Sequence, residues 1–168
     1  SYVIASWAAH KSTVVFDPQG GNNYGVTRVT ATYDAAMPTE GVQAPQRQGY
    51  TFGGYYSKAN GQGTQYYTAN MTSARTWIID ERLLDPQVTE VTLYAKWIPL
   101  TYTVTLDSQG GTGGSTSVTA TYGQKLPSGE TAPTKPGYEF RGYYGIKNDE
   151  WEEYQGHDIY YGGKEYYD

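Results

Sequence analysis

The sequence predicts a mainly β fold of the α+β class, built from small tandem modules with at most a short helix. Three observations predict it. The composition favours strands and turns, with 19 Tyr and 21 Gly among 168 residues but only 3 Phe and 2 Met. Short segments alternate apolar and polar residues, which is the period of a half-buried strand. Finally, the same strand-like motifs recur about 90 residues apart.

The internal repeat is carried by three matching pairs of segments. They recur at offsets of 90, 89 and 88 residues: Thr13–Gly21 with Thr103–Gly111, Val29–Tyr33 with Val118–Tyr122, and Gly49–Tyr56 with Gly137–Tyr144. Each one-residue drop in the offset falls in a connecting loop, where a structural repeat tolerates insertions. A further partial match, again at an offset of 90, pairs Ser1–Trp7 with Val91–Trp97.

These matches predict the domain organisation. In order, the segments are residues 1–11, the closing strand of a preceding repeat plus a linker; 12–97, a complete repeat; 98–101, a linker; and 102–168, a second repeat that diverges at its C-terminal end. No segment after Tyr144 resembles the closing strand. The first residues have neither an initiator Met nor a signal layout, so we expect a piece of a longer protein. The short connectors predict a stiff array.

The first strand of each copy ends at the same polar turn. Val14 and Phe16 alternate with polar residues, as their counterparts do in the second copy, and should face the core. Asp17 and Asp107 follow, each shortly before a Gly-Gly pair. We expect these carboxylates to accept hydrogen bonds from nearby backbone N–H groups.

The later strands follow the same period. Ala31 and its neighbours two residues away share one face of the second strand, and Phe52 lies on one face of the third. Gly54 comes just beyond Phe52, where a bulge or a close backbone approach is expected. In the closing strand Val91, Leu93, Ala95 and Trp97 should face inward, as should Val3, Ala5 and Trp7 in the N-terminal segment.

One helix is predicted over Asn70–Leu84. Capping residues stand at its start and Pro86 follows its end. Met71, Ala74, Trp77 and Ile78 form one apolar stripe at helical spacing. The corresponding part of the second copy contains Gly162-Gly163 and four tyrosines, so no helix is predicted there.

Taken together, the motifs resemble the Listeria–Bacteroides repeat, also called the internalin B-repeat. The resemblance rests on the Phe-Asp-x-x-Gly-Gly first strand, the Val-Thr-Ala-Thr-Tyr second strand, the segment 133–140 followed by Gly-Tyr-Tyr, and Thr-Leu-Tyr-Ala-Lys-Trp at 92–97. It covers the chain up to about Tyr144. Tyr55 and Tyr143 stand where many members carry Trp, and the last 22 residues depart from the pattern.

This resemblance implies a β-grasp-like (ubiquitin-like) module, with a twisted sheet packed on a short helix or irregular segment. It also implies a secreted or surface-anchored bacterial protein with tandem copies, extracellular or at the cell surface. The implied role is a stiff spacer with adhesive or protein-binding properties, and not an enzyme. The implied partners are neighbouring repeats of the same chain and a host or cell-wall protein or glycan.

Charge and residue types exclude several function classes. The formal net charge is −5, and all of it lies in residues 147–168, which hold seven acidic and two basic side chains. With no Lys/Arg run and no long apolar stretch, neither nucleic acid nor membrane insertion is expected. The chain has no Cys, and its two histidines, His10 and His157, do not recur at equivalent repeat positions. We therefore expect no catalytic residues, no cofactor and no metal, and we interpret Asn148–Glu153 as a solvated acidic face and not a calcium site.

The tyrosines are the remaining candidates for a binding site. Aromatic side chains with a polar group suit carbohydrate stacking and protein contacts. Ligand-binding candidates are Tyr143, Trp151, Tyr154, Tyr160 and Tyr161, and outward-facing positions are also predicted for Tyr55, Tyr166 and Tyr167. The simpler alternative is that these tyrosines fill strand surfaces and cross-strand pairs. The second candidate function is accordingly a carbohydrate-binding module in the C-terminal segment.

The N-terminal segment carries a prediction about assembly. Ser1–Trp7 resembles a closing strand without a sheet of its own, and the second copy lacks a closing strand. An unpaired edge invites pairing with another chain. We expect Ser1–Trp7 either to complete the second repeat of a neighbouring molecule, giving a strand-exchanged homo-oligomer, or to pack on the first repeat.

Overall fold

The computed structural model describes residues 1–78, 90–147 and 150–154. Its elements in chain order are β1 Lys11–Asp17, β2 Arg28–Thr32, β3 Tyr50–Lys58, a 3-10 turn Ala59–Gly61, β4 Gln62–Tyr67, β5 Glu90–Pro99, β6 Thr101–Thr105, β7 Ser117–Thr121, β8 Tyr143–Lys147 and β9 Glu150–Tyr154. The chain divides into a first unit, Ser1–Ile98, and a second unit, Pro99–Asp168. The mainly β prediction is confirmed.

The first unit is built on one five-stranded sheet with the order β2-β1-β5-β3-β4. Neighbouring strands β1 and β2 are antiparallel, as are β3 and β4. The strands β1 and β5 are parallel, with Thr13 opposite Glu90 and Asp17 opposite Tyr94. The last strand in the chain therefore lies in the middle of the sheet and joins the two hairpins.

One apolar cluster forms the core of the first unit. It includes Val14, Phe16, Ala31, Met37, Phe52, Tyr55, Tyr66, Tyr67, Met71, Trp77, Leu93 and Ala95. The inward positions predicted for β1, β2, β3 and β5 are thereby confirmed. Their period-2 spacing is enough to identify the buried face because one side of the sheet is packed and the other is open.

Gly54 is required by a close backbone approach inside β3, as predicted. Its φ is +102°, and a Cβ at this position would collide with the Tyr67 carbonyl oxygen. The pairing of β3 with β4 shifts register between Tyr55 and Tyr56, immediately after this glycine. The irregularity bends the hairpin where no side chain could be accommodated.

The predicted helix is wrong over residues 70–78, and the rest of its range lies outside the described residues. Met71 adopts φ +60°, which interrupts a helix. The hydroxyl of Ser73 accepts a hydrogen bond from the backbone N–H of Met37 at 2.9 Å, and Trp77 exchanges backbone bonds with the segment at 34–35. Long-range bonds therefore hold this segment extended, while Met71 and Trp77 still fill the core. Within the described ranges, no helix is long and apolar enough to cross a membrane.

The second unit contains two separate two-stranded sheets. The strands β6 and β7 pair antiparallel, as do β8 and β9. A smaller core of Leu106, Ala120 and Leu126 is covered by Val104, Val118 and Tyr143. Since Tyr143 belongs to β8, both hairpins contribute to this core. Among the described residues, nothing corresponds to β5.

The polar turn after the first strand is the same in both units. The Asp17 carboxylate accepts from the backbone N–H of Gln19 at 2.8 Å, and Asp107 accepts from Gln109 at 2.9 Å. Both glutamines have positive φ, +46° and +49°, and each precedes a glycine in the same region. The predicted role of the two aspartates is confirmed, because a local acceptor satisfies the N–H of a backbone bend that the strand cannot pair.

The N-terminal segment belongs to no strand. All of residues 1–10 are exposed, including Val3 at 98% and Trp7 at 91% of their possible surface. The predicted inward face of this segment therefore has nothing to face within its own unit. The expectation that it packs on the first repeat is wrong for this structure.

Candidate functional site

The sequence-predicted binding residues lie mainly on the β8–β9 hairpin. Tyr143 stands opposite Tyr154 in the backbone register, and Trp151 stands opposite Ile146. The Tyr143 ring packs against the core of the second unit, and its buried hydroxyl has no hydrogen-bond partner among the described residues. Tyr160 and Tyr161 lie outside the described residues, as do Tyr166 and Tyr167.

The outward-facing prediction for Tyr55 is wrong. Its ring is 1% exposed and packs 4.7 Å from Phe16 and 5.2 Å from Phe52, measured between ring centroids. Burial raises the pKa of the Tyr55 phenol, and the nearby Asp17 carboxylate raises it further. The simpler alternative for the tyrosines, that they fill strand surfaces, describes this residue.

The most elaborate constellation in the first unit surrounds Trp97 of β5, and we call it the tryptophan seat. The indole N–H donates to the Pro18 carbonyl oxygen at 2.8 Å, which ties β5 to the turn after β1. The ring lies 5.6 Å from Phe52, centroid to centroid. Gly21 forms the opposite wall, because a Cβ there would collide with the indole.

Two shallow clefts flank the tryptophan seat. The Arg47 guanidinium stacks 4.0 Å above the Tyr50 ring at their common edge. One cleft is about 430 Å³ and the other about 500 Å³, and both are lined by Arg47, Tyr50 and Trp97. The lining combines aromatic faces with a cation, which suits contact with a polar surface and offers no nucleophile paired with a base.

The second unit repeats most of the seat without its tryptophan. The backbone N–H of Gly111 donates to the Ser108 carbonyl at 3.0 Å, just as Gly21 donates to Pro18 at 2.9 Å. The Lys135 ammonium lies 4.5 Å above the Tyr138 ring, in place of the arginine and tyrosine of the first unit. Phe140 is 43% exposed, whereas its counterpart Phe52 is 8% exposed.

Sequence reasoning missed this seat as a site. A signal for it existed, because the glycine at the end of the first turn and the tryptophan of the closing strand recur together in the repeat pattern. Their contact spans 76 residues of sequence and could not be read from local spacing. Within the described ranges, no group of His, Asp and Glu side chains could hold a metal ion.

Comparison with known families decides the relationship. A sequence model of the Listeria-Bacteroides repeat domain matches twice, over residues 13–78 and 102–162. The chain belongs to this repeat family. The two matches coincide with the two sets of motifs from which the resemblance was inferred.

Other proteins contain similar segments. Internalin H of Listeria monocytogenes is 32% identical over 136 residues, which is 80% of this chain and 20% of the internalin. A protein of Evansella cellulosilytica whose name describes it as Gly-rich and of the membrane is 31% identical over 152 residues, 89% of this chain and 15% of that protein. The chain thus spans a fifth or less of these relatives. No solved structure matches it.

Proposed function

We propose that this chain is a stiff structural spacer within a bacterial surface protein, with protein contacts made along its repeats. The single observation that carries the proposal is the connection between the two units. Only Leu100 separates β5 from β6. A connector of this length leaves little freedom to the repeats on either side.

The connector is also held by the second unit. The Leu100 carbonyl accepts a hydrogen bond from the backbone N–H of Tyr122 at 2.8 Å. The equivalent bond in the first unit runs from Tyr33 to the His10 carbonyl at 2.9 Å, so each repeat fixes the residues that precede its first strand. A tandem array joined in this way has a regular pitch, which suits a module that holds other domains at a distance.

The sheet order supports a β-grasp-like relationship for the repeat. A parallel central pair, β1 and β5, is flanked by the β1–β2 and β3–β4 hairpins. Surface localisation is supported by the family and by relatives named as an internalin and as a membrane protein. These relatives place such repeats within much longer proteins.

Electron-spin distance measurements test the spacer function. Thr30 and Thr119 are exposed and occupy equivalent positions in β2 and β7, and the chain has no native Cys to interfere. Labels at Thr30→Cys and Thr119→Cys, diluted with unlabelled chain, should give one narrow distance distribution. Six Gly/Ser residues inserted after Leu100 should broaden it. A native distribution as broad as that of the insertion variant would contradict the proposal.

Carbohydrate binding is the second candidate, favoured by the β8–β9 register. That hairpin brings Tyr143, Trp151 and Tyr154 onto two adjacent strands. Saturable binding to a glycan array or to cell-wall polysaccharide should then be lost in Trp151→Ala and retained in Tyr24→Ala, an exposed tyrosine of the first unit. Absence of saturable binding would remove this candidate and leave the spacer proposal untouched.

A further inference from the structure

The second unit lacks those stretches of strand that β5 supports in the first unit. β1 pairs with β2 only as far as Val15, and its last two residues, Phe16 and Asp17, pair with β5. In the second unit β6 ends at Thr105, the counterpart of Val15. The strand is shorter by the two residues that only the closing strand would hold.

The third strand shows the same loss. In the first unit β3 begins at Tyr50, although its printed pairing with β4 begins at Tyr55, and β5 is its other neighbour. In the second unit β8 begins at Tyr143, the counterpart of Tyr55. Residues 139–142 adopt no strand there. A gap one strand wide therefore separates the β6–β7 hairpin from the β8–β9 hairpin in the sheet order.

The gap is lined by apolar groups that β5 covers in the first unit. Phe140 and Tyr138 are 43% and 72% exposed. Val104 is only half-buried, whereas its counterpart Val14 is fully buried. The Ser108 carbonyl stands where Pro18 receives the indole N–H of Trp97. The missing element must therefore supply small or branched apolar residues and, at its end, an indole.

We propose that Ser1–Trp7 of a second copy of this chain inserts between β6 and β8 as the closing strand. Val3, Ala5 and Trp7 match Leu93, Ala95 and Trp97 at an offset of 90 residues. The segment is exposed and unpaired in its own unit, so no existing contact is lost when it inserts. No stretch after Tyr154 offers this pattern, since residues 155–168 contain neither Ala nor Trp.

The first unit fixes the register of the inserted strand. Val15 lies opposite Thr92, and Phe16 lies opposite Leu93, in the parallel pairing of β1 with β5. Transferred by 90 residues, Tyr2 of the donor lies opposite Thr105 of the acceptor. In this register Trp7 reaches the seat formed by Ser108 and Gly111, where the indole N–H gains an acceptor and the ring covers Phe140. Edge pairing of this kind provides main-chain hydrogen bonds and side-chain pockets together.

Disulfide trapping between two single-cysteine chains tests the proposal. Equimolar Tyr2→Cys and Thr105→Cys chains, one lengthened by a tag, are mixed and oxidised, so that their heterodimer has its own mass. Cα atoms of directly opposed residues in a parallel pair lie within disulfide reach, whereas a two-residue offset exceeds it. The matched control is therefore Tyr2→Cys with Thr103→Cys. We expect the first pair to cross-link at least about fivefold faster than the control.

Two further variants separate insertion from chance collision. Trp7→Ala in the Tyr2→Cys chain should slow cross-linking, because the seat loses its occupant. Ser6→Lys should not, because β5 carries Lys96 at that position. Both changes lie in the exposed segment, so neither disturbs folding of the units. Equal rates for the Thr105 and Thr103 pairs would overturn the proposal.

Light scattering identifies the occupant of the gap. The chain should show a mass above 18.6 kDa that rises with concentration, and removal of residues 1–7 should return it to the monomer mass. A monomer at all concentrations in which Tyr2→Cys and Thr105→Cys in one chain close an internal disulfide would overturn the second copy as the occupant. So would an oligomer that persists without residues 1–7.

Discussion

At the residue scale, the tyrosines show how much depends on the neighbours of a side chain. Tyr55 and Tyr143 hold the same position in the repeat, yet Tyr55 is buried and Tyr143 only half-buried. The sequence predicts the same environment for both because their local motifs match. The difference arises from groups far along the chain, chiefly the strand β5, which lies in the sheet beside β3 in the first unit alone.

The two buried phenols of the first unit should respond differently to loss of the hydroxyl group. Tyr67 donates to the Pro38 carbonyl at 2.6 Å, whereas the Tyr55 hydroxyl has no partner among the described residues. Tyr67→Phe should lower the free energy of unfolding by about 1 kcal/mol, and Tyr55→Phe should leave it unchanged or raise it slightly. Urea unfolding of the whole chain measures both. A larger loss for Tyr55→Phe would refute the assignment of their partners.

Stability should fall at alkaline pH because of the same two residues. Burial raises the pKa of both Tyr55 and Tyr67 above the ordinary value for a phenol. The contribution is complete below about pH 10, where unfolded tyrosines keep their protons, and it is lost as pH rises towards the folded pKa. The urea midpoint should therefore decline above about pH 10. The double variant Tyr55→Phe/Tyr67→Phe should decline less steeply, and an identical slope would contradict the prediction.

At the element scale, the strands and polar turns could be predicted from the sequence and the segment at 70–78 could not. Period-2 spacing and the Asp-x-Gln-Gly turn depend on residues within a few positions of each other. The helix prediction failed because Ser73 bonds to Met37, 36 residues away, and Trp77 bonds to the segment beside it. The apolar spacing of Met71 and Trp77 fits a helix as well as it fits the extended segment that these bonds impose.

Gly54 tests the β3–β4 bulge. Gly54→Ala combines a strained φ with a collision against the Tyr67 carbonyl and should cost about 3 kcal/mol of stability. The control is Gly20→Ala, which has φ +86° but meets only the Arg47 side chain at ordinary contact distance. It should cost about 1–2 kcal/mol from backbone strain alone. Thermal or urea unfolding compares them, and equal losses would show that the close approach is unimportant.

At the scale of the whole molecule, one strand decides whether a repeat is closed. In the first unit β5 joins two hairpins into a single sheet and seats Trp97 against Gly21 and Phe52. In the second unit the same hairpins remain separate and Phe140 is exposed. The sequence repeat predicts the missing strand, while the gap that it leaves and the residues lining it became visible only in the structure.

Hydrogen exchange of β6, measured by NMR with and without residues 1–7, tests this account most directly. The amides of β1 should be protected in both chains because β2 and β5 pair with that strand. The β6 amides that face away from β7 should be protected in the full chain at high concentration. They should exchange at least about tenfold faster once residues 1–7 are removed. Protection of β6 equal to that of β1 in a monomer lacking residues 1–7 would contradict the account, because the second repeat would then be closed by its own chain.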